Sequence, residues 1–87
     1  MFWVYVLYSS KFDRTYTGMT KHINRRIKEH NAKGNKSTKA YVPWEIVYKE
    51  EYESREEARK REKYLKSGNG REYLKVIINK WPRGATE

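Results

Sequence analysis

The sequence predicts an α+β fold: a small three-stranded, mainly antiparallel sheet flanked by helices, in the order hairpin, helix, strand, helix, helix. Phe2 to Tyr8 is an almost unbroken β-branched and aromatic run, and the extended pattern resumes at Tyr16 after a polar turn. Later segments switch to helical spacing of their apolar residues. Ser54 and Glu57 stand at capping-box spacing and mark the start of the best-defined helix.

In the first strand Phe2, Val4, Val6 and Tyr8 share one face, and Trp3, Tyr5 and Leu7 the other. Both faces are apolar, so this strand is expected in the centre of the sheet, covered on both sides. The polar "SSKFDRT" reads as a turn with Asp13 as its turn former, and Tyr16 to Met19 returns as the second arm of a hairpin. From His22 to about Asn31 the spacing is helical. Ile23 and Ile27 lie one turn apart there, with Arg26 and His30 stacked beside them at i, i+4.

The stretch "NAKGNKSTKAYVP" is a basic loop, and "WEIVYKEEY" alternates Trp44, Ile46 and Tyr48 along the better buried face of a third strand. The helix opened by Ser54 closes near Gly68. A last amphipathic segment, Arg71 to about Lys80, directs Tyr73, Leu74, Ile77 and Ile78 toward the body and stops before Pro82. The expected organisation is one domain over residues 1–81 and a frayed tail over 82–87. Trp44 and Trp81 look exposed, and either mark an interface or finish the core.

Lys and Arg outnumber Asp and Glu by 20 to 11, for a formal charge of +9 over 87 residues. So strong a field on so small a body favours a polyanionic partner, nucleic acid above all. Eight tyrosines and three tryptophans add rings able to stack on bases. The absence of cysteine excludes a disulfide frame and a thiolate metal site. No stretch approaches the roughly 18–20 apolar residues of a membrane span, and the N-terminus lacks a basic leader region, so a soluble, cytoplasmic protein is expected.

One residue departs from its surroundings. Ala58 and Leu65 define the inward line of the second helix, and Glu62 falls inside it. A carboxylate there is costly unless a cation, metal or hydrogen-bond donor meets it. Arg26, a neighbouring lysine, or a helix rotated to bring Glu62 to the edge would each answer that cost.

Strand Val4-Tyr5, the tripeptide Tyr16-Thr17-Gly18, a helix carrying Arg26 and His30, a third strand and a helix with inward Glu62 occur here in one order. That conjunction resembles the GIY-YIG nuclease family, in particular its small stand-alone bacterial branch, from Trp3 to about Lys66. "YTG", "RRIKEHN" and "SREEARKREKYLK" carry most of the likeness. By that resemblance Tyr5 and Tyr16 correspond to the signature tyrosines, Gly18 to the signature glycine, Arg26 to the essential arginine and Glu62 to the metal-binding glutamate. His30 falls where the family carries a His or Tyr. Met19 departs from several relatives, such as the excision-repair subunit, which place a lysine after the glycine; the small branch commonly lacks it.

The resemblance implies a divalent-metal-dependent endonuclease that hydrolyses nucleic acid, with DNA favoured over RNA, and leaves 3′-hydroxyl and 5′-phosphate ends in repair or recombination. Glu62 would be the one protein carboxylate on Mg²⁺ or Mn²⁺, since Mg²⁺ keeps most of its waters. Arg26 would hold the phosphate with its fork. Tyr5 would be the general base, its phenol pushed down by nearby cations, so that activity rises toward alkaline pH. Tyr16 and His30 would orient water and phosphate, and Gly18 would let the backbone turn tightly into the helix. Arg14, Arg25, Lys36, Lys39 and the last helix are the expected phosphate contacts. The alternatives are a non-catalytic nucleic-acid-binding module on the same fold and a small domain whose basic face meets an acidic protein.

Overall fold

In a computed structural model, residues 1–32 and 38–80 are described. The first strand, β1 (Phe2–Ser9), lies between β2 (Arg14–Thr20) and β3 (Glu45–Tyr52), antiparallel to both. Its two apolar faces dictate that place, because only a central strand has both faces covered. Val4, Val6 and Tyr8 enter one buried cluster with Val47, Ala58, Leu65, Leu74 and Ile78. Tyr5 and Leu7 enter the other, with Ile23 and Trp44. Helix α1 (Ile23–Asn31) thus covers one face, and α2 (Arg55–Lys66) with α3 (Gly68–Asn79) covers the opposite one. The expected α+β architecture is borne out.

Asp13 closes the hairpin at φ 51, a left-handed conformation that Asp tolerates, and its carboxylate accepts a hydrogen bond from the Tyr8 hydroxyl at 2.8 Å. Register pairs Tyr5 with Gly18 and Leu7 with Tyr16. At the entry to α1 the His22 backbone N–H donates to Thr20 Oγ1 at 3.1 Å. Helix α2 starts on the expected capping box: Glu57 N–H donates to Ser54 Oγ at 3.2 Å, and the Ser54 hydroxyl donates back to Glu57 Oε1 at 3.0 Å.

Four expectations need correction. The alternation of Trp44, Ile46 and Tyr48 breaks at a bulge, because Val6 pairs with Tyr48 while Leu7 pairs with Ile46. Val47 is the extra residue, so Ile46 packs with Trp44 against the α1 side while Val47 and Tyr48 turn to the α2/α3 side. Trp44 is only 4 % exposed and finishes the core: its indole N–H donates to the Thr38 carbonyl at 2.9 Å. Helix α3 begins at Gly68 rather than Arg71, because Ser67 caps it by accepting from Gly70 N–H. Tyr73 is exposed at its rim and packs edge-on against Tyr48 with centroids 5.8 Å apart. Trp81 and the tail lie outside the described residues. No described helix is long and apolar enough to cross a membrane.

Candidate active site

The hairpin and α1 bring three aromatic side chains together. Tyr5 comes from the centre of β1, Tyr16 from the opposing β2, and His30 from the last turn of α1. Ring centroids are 6.3 Å apart for Tyr5 and Tyr16, 6.1 Å for Tyr5 and His30, and 4.9 Å for Tyr16 and His30. The Tyr5 hydroxyl is hydrogen-bonded to His30 Nε2 at 3.1 Å, and His30 Nδ1 to Thr38 Oγ1 at 2.8 Å. His30 is 1 % exposed and Thr38 is fully buried, so this polar line runs through the interior. Burial first and the Arg26 charge second hold His30 below its ordinary pKa, with Glu29 opposing them.

Gly18 is part of this cluster for a different reason than the expected tight turn. It lies within β2, and a Cβ built on it would come 2.6 Å from Tyr5 Oη and 2.7 Å from Tyr5 Cζ. The bare backbone is what admits the Tyr5 ring. The expectation that cations lower the Tyr5 phenol is also corrected. Burial, reinforced by Tyr16, drives its pKa well above the ordinary tyrosine value, and the Arg26 charge only partly opposes this. Glu62 adds a smaller upward push, so Arg26 and Glu62 both bear on the Tyr5 hydroxyl from opposite signs of charge.

Arg26 makes one long contact with Glu29, 3.8 Å along the helix, and its side chain is 40 % exposed. Its Nε is nonetheless buried and has no hydrogen-bond partner among the described residues. That leaves one buried donor unspent, which an anion would satisfy. Glu62 forms no pair with Arg26. Its carboxylate stands 3.4 Å from Lys66 Nζ one turn on, and its side chain is 18 % exposed while Ala58 and Leu65 beside it are fully buried. The helix therefore carries Glu62 at the edge of its buried stripe, where it meets both a lysine and water.

Lys66 and Leu65 line a cleft of about 330 Å³ together with Thr15, Tyr16 and Thr17, which places the end of α2 against the outer side of β2. Among the described residues no three of His, Cys, Asp and Glu cluster as metal ligands. One partly exposed carboxylate fits an ion that keeps its waters and takes its remaining ligands from a phosphate, and does not fit a tightly held structural metal.

Arg25 and Lys39 are exposed on α1 and on the short 3₁₀ turn Lys39–Tyr41. Arg14 is exposed too, with its guanidinium 5.2 Å from the Tyr41 ring centroid. Lys36 lies outside the described residues. Sequence reasoning missed Thr38 and Asn31. The Asn31 side chain takes the Trp44 backbone N–H on Oδ1 at 2.6 Å and donates from Nδ2 to the Trp44 carbonyl at 3.1 Å, tying the end of α1 to the start of β3. Asn31 adjoins His30 in the chain, but Thr38 sits in a loop with no periodicity to reveal it.

Comparison with known proteins identifies the family. The GIY-YIG catalytic domain family matches residues 1–74. A UPF0213 protein of Staphylococcus epidermidis is 46 % identical over 63 residues, covering 71 % of this chain and 77 % of that one. A UPF0213 protein of Clostridium perfringens is 38 % identical over 81 residues, covering 92 % and 86 %. The solution structure of a UPF0213 protein from Bacillus halodurans superposes with a TM-score of 0.54 at 36 % identity, over 99 % of this chain and 94 % of that one. The matched family spans most of the chain, and the alignments with its relatives cover most of their own length, so the chain belongs to the GIY-YIG family, a family of nucleases.

Proposed function

We propose that the protein is a divalent-metal-dependent endonuclease that hydrolyses phosphodiester bonds, in DNA by preference, leaving 3′-hydroxyl and 5′-phosphate ends, with a place in repair or recombination. The observation that carries this reading is the convergence of Tyr5, Tyr16 and His30 in one contact cluster, with Arg26 and Glu62 acting on the same hydroxyl. Arg26, with a buried donor unspent, holds a non-bridging phosphate oxygen and offsets the charge that builds there. Lysine lacks the fork and is a poor substitute. Glu62 would hold Mg²⁺ or Mn²⁺, which supplies Lewis-acid stabilisation of the phosphoryl and leaving oxygens when bound.

Tyr5 serves as a proton conduit rather than a standing phenolate. Neutral imidazole has one donor and one acceptor nitrogen. With Nδ1–H donating to Thr38 Oγ1, Nε2 accepts from the Tyr5 hydroxyl. As the attacking water passes its proton to Tyr5 Oη, the Tyr5 proton moves to Nε2 and leaves His30 as imidazolium. Tyr16, in ring contact with both, orients the water and phosphate. The competent state is neutral His30, which its lowered pKa favours. The rate is therefore expected to level off through neutrality instead of climbing with phenol ionisation.

The test is cleavage of labelled single-stranded, duplex, nicked and branched DNA, with RNA alongside, in Mg²⁺ or Mn²⁺ and in EDTA. Wild type is expected to cut only with metal. Glu62→Gln and Arg26→Lys are expected to lose about 10²-fold or more in rate while still binding substrate. A folded wild type that binds every probe and cuts none would make the chain a non-catalytic binding module.

A further inference from the structure

A groove outside the tyrosine–histidine cluster runs along the outer edge of β2, which the strand order leaves unpaired. Its first part, about 330 Å³, includes Tyr16, Lys66 and Arg71, and its second, about 440 Å³, includes Arg14, Arg71 and Lys75. Thr15, Arg71 and Leu74 line both, so the two parts are continuous. The floor is apolar, from buried Leu65 and Leu74. The walls are cationic. Arg71, Leu74 and Lys75 fall on one face of α3 by their i, i+3, i+4 spacing, opposite the threonines of β2.

These cations are available to a ligand. Lys66 and Lys75 make only intrahelical pairs, at 3.4 Å to Glu62 and 3.2 Å to Glu72, of a kind worth little in water. Arg71 makes no ion pair with any described residue. The one acid in the lining, Asp13, already accepts from the Tyr8 hydroxyl. Tyr16, whose ring packs with Tyr5 and His30 on the α1 face, is also a lining residue of the groove, so the groove passes along the edge strand that carries the site, between that strand and α3.

We propose that this groove is the track for an unpaired stretch of the substrate strand flanking the scissile phosphate, with Arg71 as the main phosphate contact and Lys66, Arg14 and Lys75 beside it. This rests on the nuclease reading of the adjoining site. A positively charged groove with an apolar floor follows a nucleotide backbone whatever its sequence. Set between one strand and one helix, a groove of this size is expected to take a single chain of nucleotides ahead of a base-paired duplex. The substrate class is then nucleic acid with a single-stranded flank, such as an overhang or flap, ahead of blunt duplex.

The experiment measures binding of the full chain in EDTA by fluorescence anisotropy, so that affinity is read without cutting. The probes are a single-stranded oligonucleotide, a duplex bearing an unpaired overhang, and a blunt duplex of the same paired length. Arg71→Ala/Lys75→Ala is compared with Arg59→Ala/Lys60→Ala, an equal loss of charge at exposed residues of α2 that do not line the groove. All four residues are exposed, and circular dichroism verifies that both variants fold.

The groove variant is expected to bind the single-stranded and overhang probes about tenfold more weakly near 0.1 M salt. Its log–log salt slope on the single strand should fall by about 1.4, roughly 0.7 for each phosphate left without its cation. Blunt duplex binding should change no more than in the control variant. Equal weakening in both variants, or wild type preferring blunt duplex, overturns the proposal. Cleavage in Mg²⁺ separates it from the reading it rests on: groove-dependent binding without cutting removes the nuclease and keeps the track, whereas cutting with groove-independent binding does the reverse.

Discussion

At the scale of single residues, the site depends on what is missing from Gly18 and on the charge His30 does not carry. A methyl group at position 18 would meet the Tyr5 hydroxyl at 2.6 Å, and Tyr5 is 2 % exposed and cannot retreat. Gly18→Ala is therefore expected to cost about 1–3 kcal/mol in urea unfolding, through overpacking, and to disturb the Tyr5–His30 hydrogen bond on which the proposed proton transfer rests. His30 is buried and its pKa is lowered, so the unfolded chain binds its proton more readily than the folded one. Stability from this group is full above its ordinary value of 6.5 and is lost as pH falls from there through the lowered folded value. Urea midpoints measured across that range should fall with pH in wild type. In His30→Gln that part of the decline should vanish.

At the scale of elements, Arg61 adds a polar tie between α2 and the sheet beside the apolar packing of Ala58 and Leu65. Arg61 Nε donates to Glu50 Oε1 at 2.8 Å and its terminal nitrogen to the Tyr48 hydroxyl at 3.2 Å, while the Tyr52 hydroxyl donates to the same carboxylate oxygen at 2.7 Å. The bulge at Val47 makes this possible, since it puts Tyr48 on the α2 face in register with Glu50 and Tyr52. Burial alone would raise the Glu50 carboxyl, but hydrogen bonds from Tyr52, Tyr48 and Arg61 outweigh it and hold the group below its ordinary value. That stabilisation is present above pH 4.5 and lost as pH falls through the lowered folded value. Arg61→Ala leaves Glu50 and Tyr48 short of a partner and is expected to cost about 1–3 kcal/mol at neutral pH. Its acid limb below pH 4.5 should also be shallower than that of wild type, checked by the same urea series.

At the scale of the whole molecule, a charge of +9 favours a polyanionic partner, and under the proposed function Glu62 as the one carboxylate ligand would limit what metal the site holds alone. An ion present near its own dissociation constant adds only about 0.4 kcal/mol. Millimolar Mg²⁺ without nucleic acid is accordingly expected to move the melting temperature by no more than about 3 °C against EDTA, whereas a structural metal would move it far more. Differential scanning fluorimetry decides between them.

What the sequence determined by itself is what local pattern and composition encode. Two apolar faces on Phe2–Tyr8 require a central strand, the Ser54/Glu57 pair starts a helix, and the spacing of Arg26 and His30 puts them on one side of α1. Placing Glu62 on the inward line of α2 was likewise enough to single it out. Tertiary structure alone decided the rest, because those features depend on contacts between distant segments. The bulge at Val47 follows from pairing with β1, and the Tyr5 pKa follows from burial under Tyr16 and α1 rather than from nearby cations. Thr38 meets His30 only in the folded chain, and no sequence period announces it, while Gly18 is needed because a ring 13 residues earlier in the chain crosses its face. Side-chain period survives in a sequence because it repeats. A single close approach between segments does not repeat, and only packing reveals it.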